Sequence, residues 1–269
     1  MRRHLGLAKL FCGLICLGLW SDSLRADEVD FSAYRRAAEF CRGDVERPLA
    51  LDPDHRVLCF GGALTQGMDV SLAKSLKPNG LFVVRSTGGD VLPAIALANI
   101  VRDRHATVVV YDHCFSACAS YLLLASHEAF VLRNTIVAWH YFVDPRLCPL
   151  LVVTNEGDPK RLENPPCPDA PPEIQQRYEY GRYLNSQFYA DRVIDPQFEN
   201  PPQSFAIRKI LKGMAEGTGL YPNVLWTWNP RYHASSLKAK IVYEAYPQSQ
   251  DEVDALMARF GGVRVIYDP

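Results

Sequence analysis

Three short stretches carry the residue types from which acyl-transfer chemistry is built. Gly88-Gly89 follows one apolar run and precedes another. At a strand-to-helix junction, two glycines leave bare backbone amides where unsatisfied N–H groups and the helix dipole both favour negative charge. A tight turn that needs glycine at positive φ reads equally well from these two residues alone. The second stretch is Asp112-His113-Cys114-Phe115-Ser116-Ala117-Cys118-Ala119-Ser120, with Ser116 where a helix begins. Ser116 reads there as a helix N-cap, or as a nucleophile that gains from the dipole and has the Ala117 amide beside it as an oxyanion donor. The third is His140, which closes a short apolar run 24 residues after Ser116.

The elements that must position these residues follow from hydrophobic periodicity. Residues 56–60, 81–84 and 107–111 read as buried strands, and 129–132 and 136–140 as shorter ones around a turn at Arg133-Asn134. Residues 68–76, 91–101 and 117–126 read as the helices between them, the first stopped by Lys77-Pro78-Asn79-Gly80. Alternation of strand and helix with short connections predicts parallel pairing and right-handed crossovers. Further helices are expected over 31–41, 173–193, 205–216, 235–246 and 251–260, with a last strand at 263–267. Residues 144–172 form a long irregular loop rich in Pro, Asn and Cys. The organisation expected is a lead-in at 27–55, one domain at 56–246 and an extension at 247–269.

The order strand, Ser86-Thr87-Gly88-Gly89, helix; strand, Cys114-Phe115-Ser116-Ala117-Cys118, helix; then a strand ending in Trp139-His140 resembles the ClpP/crotonase superfamily. It is most similar to the Clp-protease-like serine peptidase branch, over residues 56–142. The resemblance implies an α/β fold: a spirally wound parallel sheet with flanking helices and a helical C-terminal extension. It implies Ser116 as nucleophile, His140 as base and the Gly89 and Ala117 amides as oxyanion donors, with Thr87 where the family usually has proline. It implies a peptide or protein substrate and no cofactor, and it admits a homo-oligomer. A third catalytic group is open between Asn229, Asp191, Asp195 and none, and Lys209 or Lys212 would be a lysine base. Two other classes stay open beside the hydrolase: an inactive ClpP-fold binding or scaffold protein, and a crotonase-like enzyme acting on coenzyme A thioesters.

Composition bounds the rest. With 48% hydrophobic and 22% charged residues in 269, the chain is of globular type and long enough to build its own core. Arg2-Arg3, an apolar run over 10–20 and Ala26 read as a signal peptide over 1–26, too short for a comfortable bilayer crossing. Its removal takes away four basic residues and one acid, moving the net charge from -1 to -4. A periplasmic or secreted location follows, with no membrane span after cleavage and no nucleic-acid partner. Six cysteines then remain: Cys41, Cys59, Cys114, Cys118, Cys148 and Cys167. In an oxidising compartment they read as disulfides whose pairing the sequence leaves open, Cys148 with Cys167 and Cys114 with Cys118 being the pairs most readily proposed. His113, Cys114 and Cys118 lack the second ligand pair of a zinc site. His233 reads as an exposed residue at the start of a helix.

Overall fold

Phe82-Val83-Val84 and Val108-Val109-Val110 are buried on both faces of a sheet, which is why each reads as an unbroken apolar run. The computed structural model describes residues 29–43, 48–140, 172–195, 224–261 and 263–269. Its strands are β1 (Leu49–Leu51), β2 (Val57–Leu64), β3 (Leu81–Gly89), β4 (Thr107–Phe115), β5 (Glu128–Val131), β6 (Ile136–Ala138), β7 (Val224–Trp226), β8 (Lys240–Tyr243) and β9 (Arg264–Ile266). Seven of them form a mixed sheet in the order β1-β2-β3-β4-β5-β8, with β6 also on β4. Within this sheet, among the described residues, only the β1–β2 pairing is antiparallel. Strands β7 and β9 form a separate parallel ribbon.

The helices are α1 (Ser32–Gly43), α2 (Val91–Asp103), α3 (Pro172–Arg192), α4 (Pro230–Ser236) and α5 (Gln250–Met257). Asp90 caps α2, its Oδ1 accepting from the Leu92 amide at 2.9 Å, and its other carboxylate oxygen pairs with Arg177 of α3. Residues 118–125 form a π-helical turn running into a 3-10 turn, every one of them buried except Ser120. This segment packs with α2 over Phe82, Val84, Val108 and Val110 in the main core. The described residues from Phe31 onward form one unit.

Several elements differ from the sequence reading. The lead-in is part of the body: β1 extends the main sheet, and a Cys41–Cys59 disulfide with Cα atoms 5.4 Å apart ties α1 to β2. Residues 68–76 yield only a 3-10 turn, Ser71–Ser75. The helix expected over 235–246 is instead the end of α4 followed by strand β8. Asn229-Pro230 supplies the reason, since Asn229 Oδ1 accepts from the Arg231 amide at 3.0 Å and Pro230 opens the helix. Residues 247–269 are more than an appendage, because Val253, Met257 and Val265 share a core with Phe115, Ile136 and Ala138. The expected signal peptide 1–26, the loop 144–172 with Cys148 and Cys167, and the helix 205–216 with Lys209 and Lys212 lie outside the described residues or nearly so. Among the described residues no helix is long and apolar enough to cross a membrane.

Candidate active site

Strand β4 does not stop at Tyr111 but continues to Phe115 through a bulge. Val84 pairs with Val110 and Ser86 with Cys114, so β4 advances four residues while β3 advances two. Asp112, at φ 61°, takes up the excess. A second irregularity, between Gly61 and Ala63 of β2, lies level with the end of β3. These bulges turn the C-terminal ends of the strands before they deliver Ser116.

Ser116 has φ 56°, in the left-handed region that costs a non-glycine residue on the order of 1–3 kcal/mol. Such a sharp strand-to-helix turn presents a side chain above the sheet edge. Three bonds hold it. The Ser116 amide donates to Ala138 O of β6 at 2.9 Å, and the Ser116 carbonyl accepts from the Ser120 amide at 2.9 Å. A Cys114–Cys118 disulfide, Cα atoms 5.2 Å apart, spans the turn. It uses both sulfurs that a metal site with His113 would need. The Ser116 hydroxyl does not act as a helix cap: its Oγ lies 2.6 Å from His140 Nε2.

Register explains that contact. Strands β5 and β6 both lie along the same edge of β4 and parallel to it, β5 on Val108–Val110 and β6 on His113–Phe115. The connection at Arg133-Asn134 therefore carries the chain onward rather than back, with Asn134 at φ 59°. Phe115 pairs with Ala138, so the next residues of the two strands, Ser116 and Trp139, fall side by side and His140 follows. Trp139 is fixed in turn by reciprocal bonds with Trp226 of β7, each amide donating to the other's carbonyl at 2.9 Å.

The glycines occupy two different roles. Gly88, at φ 84°, packs against the serine turn: a Cβ there would stand 2.7 Å from Ser116 Cβ, 2.5 Å from Phe115 O and 2.9 Å from the Ala117 nitrogen. Its amide donates to the buried Ser86 Oγ at 3.0 Å. Gly89, at φ 134°, is pressed on Leu64, where a Cβ would lie 2.2 Å from the carbonyl oxygen. The Asp90 amide, not that of Gly89, donates to this Leu64 oxygen, at 2.8 Å. The Gly89 amide therefore takes no part in that bond to β2. Ala117 begins the helical segment immediately after Ser116, so its amide is among the first of a helix, which have no intrahelical acceptor.

Of the sequence-predicted residues, Ser116, Gly88-Gly89, Ala117 and His140 gather at the C-terminal edge of the sheet. Each of the three candidates for a third group has a partner elsewhere among the described residues. Asp191 binds Arg102 at 2.9 Å beside Ser126 and His127, at the opposite end of the strands. The Asp195 amide donates to Ser236 O at 3.3 Å, next to the residues that lead into β8. Asn229 caps α4, and its own amide donates to Asp268 Oδ2 at 3.0 Å.

Two further histidines lie near this edge, His113 half-buried and His233 buried. His113 packs on Phe115 and Phe260, with ring centroids at 5.3 and 4.8 Å, and burial holds its imidazole down to about 4. His233, expected to be exposed, is 2% exposed and lies against Trp139 and Tyr243 with centroids at 5.9 Å from each. The close approach of Gly88 to Ser116 has no signal in the sequence, because it depends on the bulges in β2 and β4. No protein-family model matches the chain, and no curated protein matches it.

Proposed function

We propose that this chain is a serine hydrolase acting on peptide or protein substrates, with Ser116 as nucleophile and His140 as its base. The observation that carries the reading is the 2.6 Å approach of Ser116 Oγ to His140 Nε2, made by a serine held at φ 56°. A neutral imidazole with its lone pair on Nε2 accepts the hydroxyl proton as Oγ attacks the substrate carbonyl carbon. The carbonyl oxygen becomes an oxyanion, and the Gly89 and Ala117 amides are the donors assigned to it. The tetrahedral intermediate collapses as His140 passes its proton to the leaving amine, so that the carbon–nitrogen bond breaks and an ester to Ser116 remains. Water, deprotonated by the same imidazole, then hydrolyses the ester and returns the proton to Ser116. No step calls on a metal or an organic cofactor.

The order of strands, glycine pair, serine turn and histidine supports placing the chain in the ClpP/crotonase superfamily, in its Clp-protease-like branch. The signal-like N-terminus supports a periplasmic or secreted location, and the Cys41–Cys59 and Cys114–Cys118 bridges agree with an oxidising compartment. The test is covalent labelling by a fluorophosphonate probe. The wild-type chain is expected to label at one site, and Ser116→Ala to fold and not label. A folded wild-type protein that never labels would overturn the hydrolase and leave the fold as a binding or scaffold protein. Turnover of acyl-CoA that persists in Ser116→Ala would point to crotonase chemistry instead.

A further inference from the structure

At the end of the sheet opposite Ser116, the last turn of α3 lies against the residues that lead into β5 and β8. A cavity of about 150 Å³ opens there, lined among others by Arg102, Ser126, His127, Asp191, Arg192 and Lys238. Among the described residues its permanent charges are three cations and one carboxylate. That carboxylate, Asp191, is bonded to Arg102 at 2.9 Å.

Arg192 has no carboxylate of its own among the described residues. It is 6% exposed, and its two terminal nitrogens donate to neutral oxygens, Phe188 O at 3.2 Å and Asn99 Oδ1 at 3.0 Å. The Nε is buried with no partner among the described residues. The guanidinium stacks on the Phe188 ring, 3.7 Å from its centroid. Burial, and then the charge of Arg102, lower its affinity for its proton to a pKa of about 10, while Asp191 and Asp103 act in the other direction. Lys238 Nζ donates to Ala190 O at 3.3 Å, again a neutral acceptor. A buried cation without a matching anion is costly, and an oxyanion is the partner that guanidinium groups match best.

We propose that this cavity binds a small multivalent oxyanion of the phosphate class, held by Arg102, Arg192 and Lys238. Inorganic phosphate and the phosphoryl group of a monoester share that chemistry. The site is separate from Ser116 and does not depend on the hydrolase reading.

The experiment is thermal unfolding and calorimetric titration of the full chain with sodium phosphate, against sodium chloride at equal ionic strength, with glycerol phosphate in parallel. Phosphate at about 100 times its dissociation constant is expected to raise Tm by about 5–10 °C in a saturable manner. A matching response to glycerol phosphate assigns the site to phosphoryl groups, and a response to phosphate alone assigns it to the free ion; both support it. Arg102→Gln with Lys238→Gln, both at the surface, is expected to weaken binding at least tenfold while leaving the phosphate-free Tm close to wild type. Arg192→Met removes the buried charge, and is expected to unfold at an equal or higher temperature without phosphate and to lose the response. A folded wild type with no phosphate-specific shift overturns the proposal, as does a shift of undiminished size in the double variant.

Discussion

Gly88 and Ser116 are in direct van der Waals contact, so close that a Cβ on the glycine would stand 2.7 Å from the serine's own. The serine turn is therefore seated on β3 by the absence of a side chain, and φ 84° at Gly88 disfavours any replacement independently. Gly88→Ala is expected to destabilise the fold by about 1–3 kcal/mol and to reduce Ser116 labelling at least tenfold. Gly43→Ala is the control, because nothing lies within 4 Å of a Cβ there. Labelling kinetics beside a urea melt check both. Equal labelling of the two variants would mean that the contact does not position Ser116.

His140→Gln keeps a polar side chain at the sheet edge but removes the proposed base. The expected result is a fall in the fluorophosphonate labelling rate of about 10²–10⁴-fold, with Tm close to that of wild type. Hydrolysis of an activated ester, followed as a pre-steady-state burst, should lose its first phase by the same factor. Unchanged labelling would show that the 2.6 Å contact is structural only.

The two disulfides are expected to fail in different ways. Cys41–Cys59 closes a loop with a sequence separation of 18 and joins α1 to the sheet, so Cys41→Ala with Cys59→Ala should cost about 3 kcal/mol of stability with little change in labelling. Cys114–Cys118 has a separation of 4 and spans Ser116, so its double alanine variant should lose labelling out of proportion to stability. Urea melts and labelling rates on the same preparations separate the two effects. The reverse pattern would mean that the serine turn holds its shape without the bridge.

The sheet was largely legible because strands buried on both faces need continuous apolar residues, as in Val108-Val109-Val110. The approach of Ser116 to His140 is legible through the order and type of the elements that carry them. What failed has physical causes. The continuation of β4 through Asp112-His113 hides behind a bulge that breaks strand periodicity. Lys240-Ile241-Val242-Tyr243 is β-branched at its centre, yet the helix expected over 235–246 covers it, because the Asn229-Pro230 start signal lies upstream of that boundary. The Cys41–Cys59 pair is a tertiary contact with no local signature. The burial of His233 depends on which face of the seven-residue helix α4 meets Trp139, and so short a segment has no readable period.

That burial gives the chain a pH-dependent stability. His233 is 2% exposed and its two ring nitrogens have no partner among the described residues, so the interior favours the neutral imidazole and holds its pKa at about 4. His113 is held at about 4 by burial first, with Arg259 and Arg85 adding to the effect and Asp112 opposing it. In the unfolded chain both titrate near the ordinary histidine value of about 6.5. The unfolded state therefore binds protons that the native state refuses, and stability present above about pH 6.5 is lost as pH falls toward 4. Glu244 acts in a lower window. Arg35 and Arg133 bind its carboxylate and hold it at about 2 against the opposing effect of burial, so its contribution is present above about pH 4.5 and is lost as pH falls through 2. Between pH 7 and 4.5 His233 alone is expected to remove about 2–3 kcal/mol. His233→Phe fills a similar space without a titrating group or a hydrogen bond to lose. Urea unfolding of wild type and His233→Phe at both pH values should show the variant losing distinctly less stability on acidification. A variant that falls as steeply as wild type would show that the native protein protonates His233 as readily as the unfolded chain does.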